Sequence, residues 1–333
     1  MKKTIALVTG GFSGESVISY KSAATIGKNL DPEKFNVFLI DINPQGWFHE
    51  LVDGRKVSVD KNDFSLPLDN RRVRFDAVFI GMHGTPGEDG KLQGYFDTLG
   101  IPYTSCDAAT SAITFNKRYT VAVARMAGIA VANSVHIFRH SSESGVEQAR
   151  NLSFPVFVKP NNGGSSIGMS RVNEVNNLHA AIEKAFCEDD QVLVEEMIQG
   201  REFTVGVFRR NGEIHVLPLT EVKAHVGQKF FDFEAKYEGK SSETTPAEVD
   251  ESIADKIRQA ARKIYEVLNC RGIVRIDFIY NQESGSPYML EVNTIPGQSD
   301  ASIIPQQVKA AGGTLKDFYA GLLEECLQSA NKK

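Results

Sequence analysis

The chain has 333 residues, 41% of them hydrophobic and 24% charged, which is the make-up of an ordinary soluble globular protein with material for two or three cores. A net charge of −5 supplies no basic stripe, so no nucleic-acid partner is expected. No apolar run reaches membrane-spanning length, the run at 5–8 is too short for a signal peptide, and Cys106, Cys187, Cys270 and Cys326 lack CxxC or metal spacing. A cytoplasmic protein with free thiols and no membrane partner is the expectation.

In chain order, residues 5–8 read as a strand, 16–30 as a helix, and 37–40 and 77–80 as two more strands. Continuous apolar runs separated by a helix predict parallel strands covered on both faces, a Rossmann-like βαβ unit over 1–105 and an α/β fold class. A helix over 115–126, stopped by Gly128, opens a second region, 106–199, with strands at 156–159 and 192–195. The third region, 200–333, begins with a strand at 203–208 and a long polar loop at 221–248. An amphipathic helix follows, with Ile253, Ile257, Ala260, Ile264 and Val267 at three-to-four-residue spacing. Segments 274–279 and 289–294 then read as an antiparallel hairpin, and Leu315, Phe318 and Leu322 mark a last helix.

Several segments carry more chemistry than a fold requires. The glycines at 10, 11 and 14 break the dinucleotide fingerprint, although Asp41 at the end of the second strand keeps that reading open. Glu15 is aimed at the crevice beyond the strand ends, where α/β sheets bind ligands. His83 belongs either to that crevice or to the core, and Glu88 with Asp89 reads as helix capping. The stretch 161–168, NNGGSSIG, follows a strand ending in Lys159 and reads either as a flexible turn or as a phosphate-covering loop. It is not a P-loop, because no lysine follows its last glycine. Lys117 and Lys159 offer point charges for a triphosphate. Residues 195–202, EEMIQGRE, join two strands as an adenine-binding linker does, or as a plain charged connector. Residues 230–237 are too aromatic and charged for a simple connector and read as a lid, with Lys236 and Tyr237 able to reach a polar ligand.

The hairpin is the most telling element. Alternation puts Arg275 and Asp277 on one face of its first strand and Glu291 and Asn293 on one face of its second, with Ile276, Phe278, Leu290 and Val292 on the core side. Hard oxygens gathered in this way suit Mg²⁺ completed by water and phosphates; the competing reading is a solvated edge with salt bridges.

Taken in order, these motifs resemble the D-alanine–D-alanine ligase family of the ATP-grasp superfamily. The resemblance is carried by GGxSxE at 10–15, HGxxGEDG at 83–90, VKPxxxGSSxGM at 158–169, EExIxGxEFTV at 195–205, FEAKY at 233–237, RIDF at 275–278 and EVNTIPG at 291–297. It spans nearly the whole chain. It implies an ATP-grasp fold, α+β in its ATP-binding part, with the nucleotide between the central and C-terminal regions. The implied ATP-binding set is Lys117, Lys159, Gly164, Ser165, Ser166, Glu195, Glu196, Ile198, Glu202, Lys236 and Asn293. Asp277, Glu291 and Asn293 would hold two Mg²⁺ or Mn²⁺ ions. Glu15, helped by His83, would bind the first D-alanine, and a network of Glu15, Ser165 and Tyr237 would keep the lids shut. Arg275 and the Gly297 N–H would stabilise the oxyanion, while Ser302 would hold the carboxylate of the second substrate. A homodimer through the N-terminal region is also implied.

The implied chemistry is phosphorylation of a carboxylate by ATP, then attack of an amine on the acyl phosphate with water excluded. One departure bears on the acceptor. The family often has a threonine and then a His-Ser pair after Pro-Gly, whereas this chain reads Gln298-Ser299-Asp300-Ala301-Ser302. Tyr237, absent from related D-lactate ligases, favours an amino-acid acceptor; D-serine stays open as the alternative. The other classes weighed, a nucleotide-dependent oxidoreductase and a non-catalytic ATP-binding module, sit poorly with the broken glycine fingerprint and the intact cation set.

Overall fold

The computed structural model of the chain describes residues 2–69, 71–164, 166–224 and 241–330. Strand β1 (Lys3–Gly10) leads through helix α1 (Ser16–Asn29) to β2 (Phe35–Asn43), followed by β3 (Gly46–Glu50), β4 (Lys56–Ser58), the small hairpin β5 (Leu66–Leu68) and β6 (Arg71–Val73), and β7 (Ala77–Ile80). Among the described residues the first sheet has the order β4-β3-β2-β1-β7, with β1 parallel to both β2 and β7, as the apolar runs predict. β1 is apolar on both faces because both are covered. Ile5 and Leu7 share a core with Ile26 of α1, and Ala6 and Val8 share another with Phe64 and Phe96. β3 to β6 are only three to five residues long, too short for a run or an alternation to predict them.

Helix α2 (Lys91–Leu99) covers the second of these cores, and two helices then cross to the middle of the chain, α3 (Ala108–Phe115) and α4 (Lys117–Met126). The single helix expected over 115–126 is therefore wrong at its start. Asn116 turns extended (φ −92°, ψ 103°), ends α3, and caps α4 by accepting from the Tyr119 N–H at 3.2 Å. An asparagine side chain competes with the helical backbone for hydrogen bonds and so favours such a junction.

The second sheet runs β10 (Ser170–Val172), β9 (Val156–Pro160), β11 (Gln191–Glu196), β8 (Ser134–Phe138), antiparallel throughout. Val156, Val158, Val192, Val194 and Ile137 bury one face against helices α5 (Ser142–Ala149) and α6 (Leu178–Phe186). By alternation the other face carries Lys159, Leu193, Glu195 and His136, a composition unsuited to a closed core.

The third sheet has the order β15 (Ser241–Thr244), β14 (Thr220–Ala224), β12 (Arg201–Arg210), β16 (Ile273–Asn281), β17 (Ser286–Asn293), with β13 (Glu213–Val216) also on β12. The expectation of a loop over 221–248 is wrong at both ends, because residues 221–224 and 241–244 pair as antiparallel strands, while the expected lid at 230–237 lies outside the described residues. Helix α7 (Glu251–Val267) buries Ala254, Ile257, Ala261, Ile264 and Tyr265 against one face, with Val205, Val274, Ile276 and Phe278. Each such aliphatic side chain contributes about 1.5–3 kcal/mol of burial. The hairpin differs from strict alternation in one respect. A register shift pairs Asp277 with Glu291 but Phe278 with Met289, so Met289 enters the core with Val292, and Leu290, expected there, is only half-buried.

Two helices close the chain. α8 (Ile303–Ala310) lies on the polar face of the third sheet, where a Cβ on Gly206 would meet the Ile304 and Leu217 side chains. Gln307 docks it there, accepting from the Gly206 N–H at 2.9 Å and donating to the Thr204 carbonyl at 3.0 Å. α9 (Leu315–Ala330) returns to the first sheet, where Tyr319 and Leu323 join the core of Ile5 and Leu7.

The linker 197–200 between β11 and β12 packs tightly on β16. A Cβ on Gly200 would sit 2.1 Å from the Tyr280 carbonyl oxygen, which backbone cannot yield cheaply. Gly200→Ala is expected to lower stability by about 1–3 kcal/mol. An unchanged urea midpoint would contradict this packing.

Candidate active site

A cleft of about 360 Å³ opens on the polar face of the third sheet, walled by the loops after β1, β7 and β17 and by the start of α8. Its floor is the hairpin. Arg275 stands opposite Asn293 and Asp277 opposite Glu291, so the four side chains leave the same face. Arg275 grips Asp277 bidentately, Nε to Oδ1 at 2.9 Å and Nη2 to Oδ2 at 2.8 Å, and lies 3.7 Å from Glu291 Oε1. The Asn293 amide approaches Asp277 at 3.4 Å and Glu291 at 3.5 Å, and the Thr204 hydroxyl donates to Asp277. Among the described residues no three His, Cys, Asp or Glu gather as a metal cluster. Two carboxylates and one amide nevertheless fit Mg²⁺, which takes few protein oxygens when phosphates and water complete its shell.

At one end of the cleft stands Glu15, at the head of α1. Its carboxylate is wedged between two glycines: a Cβ on Gly84 would lie 2.7 Å from Oε2, and one on Gly164 would lie 2.8 Å from Oε1. Residues from the first region and from the Gly/Ser loop therefore meet at this one side chain. His83 is buried beside it. Its Nε2 is 2.9 Å from the Ser22 hydroxyl, which also accepts from the Gln298 N–H at 3.1 Å. A neutral imidazole that donates from its other nitrogen to the Ile295 backbone accepts the Ser22 proton at Nε2. Burial lowers the His83 pKa to about 4 against the opposing hydrogen bond with the Ile295 backbone, with Arg275 adding to the lowering.

Glu88, expected as a helix cap, does not cap. Gly90 occupies the N-cap of α2, and Glu88 turns into the cleft, accepting from the Gly84 N–H at 2.7 Å. Asp89 does reach the helix start, accepting from the Lys91 N–H at 3.3 Å. Burial, reinforced by the neighbouring Glu15 charge, pushes the Glu88 carboxyl up to about 8 despite hydrogen bonds from Gly84 and Ile295 and the field of Arg275.

The loop after β17 runs from His83 and Glu88, which it meets through the Ile295 backbone, to Ser302. Ser302 occupies the N-cap position of α8 without a side-chain capping bond, its Oγ lies 2.7 Å from the Ser299 Oγ, and a Cβ on Gly297 would come within 2.9 Å of it. Hydroxyls at a helix N-terminus form a site for a carboxylate.

The residues expected to hold the nucleotide divide. Lys117, Gly164 and Glu202 line the cleft, with Lys117 Nζ donating to the Gly163 carbonyl at 2.6 Å. Lys159 and Glu195 pair with each other on the polar face of the second sheet. Glu196 points elsewhere, its carboxylate accepting from the Ser153 N–H at 2.8 Å and the Asn133 amide at 2.9 Å, which leaves only its backbone for a base edge. Ile198 is half-buried in the linker, and Ser166 sits in the loop at φ +58°. Ser165, Lys236 and Tyr237 lie outside the described residues.

The model of the D-ala D-ala ligase N-terminus matches residues 4–106, and that of the D-ala D-ala ligase C-terminus matches residues 123–324. A D-alanine–D-alanine ligase of Parabacteroides distasonis is 42% identical over 333 residues, all of both chains. The chain belongs to the D-alanine–D-alanine ligase family. Two solved structures resemble this ligase-family chain over its length. One is a D-Ala:D-Ser ligase from Enterococcus faecalis (TM-score 0.88, 33% identity, 97% of this chain and 99% of that one). The other is a D-alanyl-alanine synthetase A from Vibrio cholerae (TM-score 0.87, 31% identity, 98% of each chain). The fold is ATP-grasp, as the motif order implies, and among the described residues no helix is long and apolar enough to cross a membrane.

Two acids of this ligase-family cleft escaped the sequence reading, Glu88 and Glu243. Glu88 lay inside a quoted motif, but nothing in its spacing told burial from capping. Because its carboxyl titrates higher folded (about 8) than unfolded (4.5), the folded state holds the extra proton between those values and stability falls as pH rises through that window. In Glu88→Gln this loss is expected to vanish, so that the variant gains on the parent from pH 5 to 9. Parallel melting curves over that range would contradict a buried carboxylic acid.

Proposed function

We propose that the chain joins two D-alanine molecules into D-alanyl-D-alanine at the expense of ATP, through a D-alanyl phosphate, for peptidoglycan precursor synthesis. The observation that carries this reading is the convergence in one cleft of Glu15 and His83, of Gly297 and Ser302, and of the Arg275–Asp277–Glu291–Asn293 floor. In this reading Glu15 takes the ammonium of the first D-alanine. Its carboxylate is phosphorylated over the hairpin, and the amine of the second D-alanine, held through its carboxylate by Ser302, attacks the acyl phosphate. Arg275 and the Gly297 N–H stabilise the oxyanion, a role for which preset donors are worth several kcal/mol.

Lys117, Lys159, Glu195 and Glu202 hold ATP, together with the 161–168 loop and the backbone of 196–198. Asp277, Glu291 and Asn293 hold two Mg²⁺ or Mn²⁺ ions, which neutralise charge on the transferring phosphoryl group when bound. Ser165, Lys236 and Tyr237 belong to the two closing segments. The chain works as a cytoplasmic homodimer without nucleic-acid or membrane partners, and its regions 1–105, 106–199 and 200–333 supply the amino-acid, loop and cation parts of the site. D-Serine is the alternative acceptor, favoured by the likeness to a D-Ala:D-Ser ligase and by the Ser299–Ser302 hydroxyl pair.

Phosphate release in the presence of ATP and Mg²⁺ is expected with D-alanine and not with L-alanine, with D-serine and D-lactate as comparison acceptors. Equal turnover of the two alanine enantiomers would refute the assignment. Asp277→Asn is expected to lower turnover on the order of 10²-fold, and full activity of that variant would remove the cation role from the hairpin.

A further inference from the structure

Glu243 enters the cleft from β15, six residues past the FEAKY motif and outside every motif that marks the site. Its position follows from strand register. Glu202 of β12 stands opposite Val222 of β14, and Val222 stands opposite Glu243, so the three leave one face of the sheet and all line the cleft. Two inter-strand steps put Glu243 about 10 Å from Glu202. Glu221 and Lys223 on β14 fall on the opposite face, where Arg201 and Lys223 both pair with Glu221. Gln306 on α8 ties Glu243 to the Ser302 end: its Nε2 donates to Glu243 Oε2 at 3.0 Å and to the Ala301 carbonyl at 2.8 Å. The charged neighbour from the hairpin is Arg275.

Among the described residues the roles assigned above leave one task open. An amino acid arrives as an ammonium ion, whose nitrogen has no lone pair, so it must lose a proton before it attacks. In the ligase reading Glu15 is committed to the ammonium of the first amino acid with Glu88 buried beside it, Asp277 and Glu291 belong to the cation floor, and Glu202 faces the nucleotide side. We infer that Glu243 receives the ammonium of the second amino acid and takes its proton before attack, an assignment that rests on the ligase reading above. Although Glu243 is open at the cleft mouth, the walls strip part of its hydration and raise its carboxyl above the ordinary value, against the opposing influence of Gln306 and Arg275. A carboxylate so placed is a better base at neutral pH than a fully hydrated one.

The proton moves from nitrogen to the Glu243 carboxylate, and the freed pair forms the C–N bond while the carbonyl π electrons pass to oxygen beside Arg275. As the tetrahedral centre collapses, the C–O bond to phosphate breaks. The phosphate carries off a second proton from nitrogen, and Glu243 returns the first to solvent.

The test separates this step from acyl-phosphate formation. Hydroxylamine, largely uncharged near neutral pH, traps the acyl phosphate as D-alanyl hydroxamate without needing a base for an ammonium. In Glu243→Gln, dipeptide formation is expected to fall by about 10²-fold while hydroxamate formation holds, and Glu243→Asp should recover part of the loss. Dipeptide and hydroxamate falling together, or dipeptide formation unchanged, would overturn the inference. A parent enzyme that makes neither product from D-alanine would overturn the ligase reading and this inference with it.

Discussion

The architecture of the site depends on the bidentate pair between Arg275 and Asp277 on one strand. Asp277 is only 7% exposed, and taking a carboxylate so far out of water costs several kcal/mol unless donors replace the lost hydration. Arg275 supplies two of them and Thr204 a third. A sheet face carrying this pair is not sealed by an apolar layer around it, although α8 packs Ile304 and Leu217 at Gly206 further along the same face, and the face opposite takes the core that α7 covers. The cleft is the consequence. The sheet is apolar on one side and ionic on the other, and the loops that close over the ionic side must themselves be polar.

The same pair imposes a condition on catalysis. Arg275 holds both oxygens of Asp277, so a cation that engages Asp277 draws on electron pairs already committed to the guanidinium. Glu291 lies 3.7 Å from the same Nη2 and offers the arginine an alternative partner without leaving the face. In the proposed reaction nucleotide and cation binding would thereby be coupled to the freedom of Arg275 to turn toward the reacting carbonyl. One strand would then serve both halves of the reaction, its arginine exchanging a neighbouring carboxylate for an oxyanion at little distance.

Much of this was legible in the sequence because periodicity and burial agree there. The apolar runs at 5–8 and 77–80 and the spacing of Ile257 and Ile264 identify elements whose neighbours are dictated by hydrophobic cover alone. Alternation likewise placed Arg275, Asp277, Glu291 and Asn293 on a common face. What escaped has a local cause in each case. Asn116 divides a helix through a side-chain hydrogen bond that competes with propagation, and a bulge exchanges Leu290 for Met289 without altering composition. Glu88 looks like any acid before a helix until the fold closes over it. Glu243 joins the site by register across three strands, and no spacing along the chain encodes that.

The distribution of acids explains why a cleft this polar does not collapse into indiscriminate ion pairing. Glu15 and Glu88 crowd one end, and their mutual repulsion with burial keeps a proton on Glu88, so that end carries less charge than its residues suggest. His83, held neutral by burial, does not cancel the charge of Glu15. An ammonium entering there therefore meets Glu15 as its principal counter-charge. Around Ser302 the donors are hydroxyls, a helix N-terminus and Gln306, which suit a carboxylate, with Glu243 set apart on the edge strand. In the proposed reaction two zwitterions would lie in a fixed order in this field, the ammonium of one against Glu15 and the carboxylate of the other against Ser302. That order would bring the carboxylate of the first and the nitrogen of the second together over the hairpin, so the polarity of the peptide bond would follow from where the charges are buried.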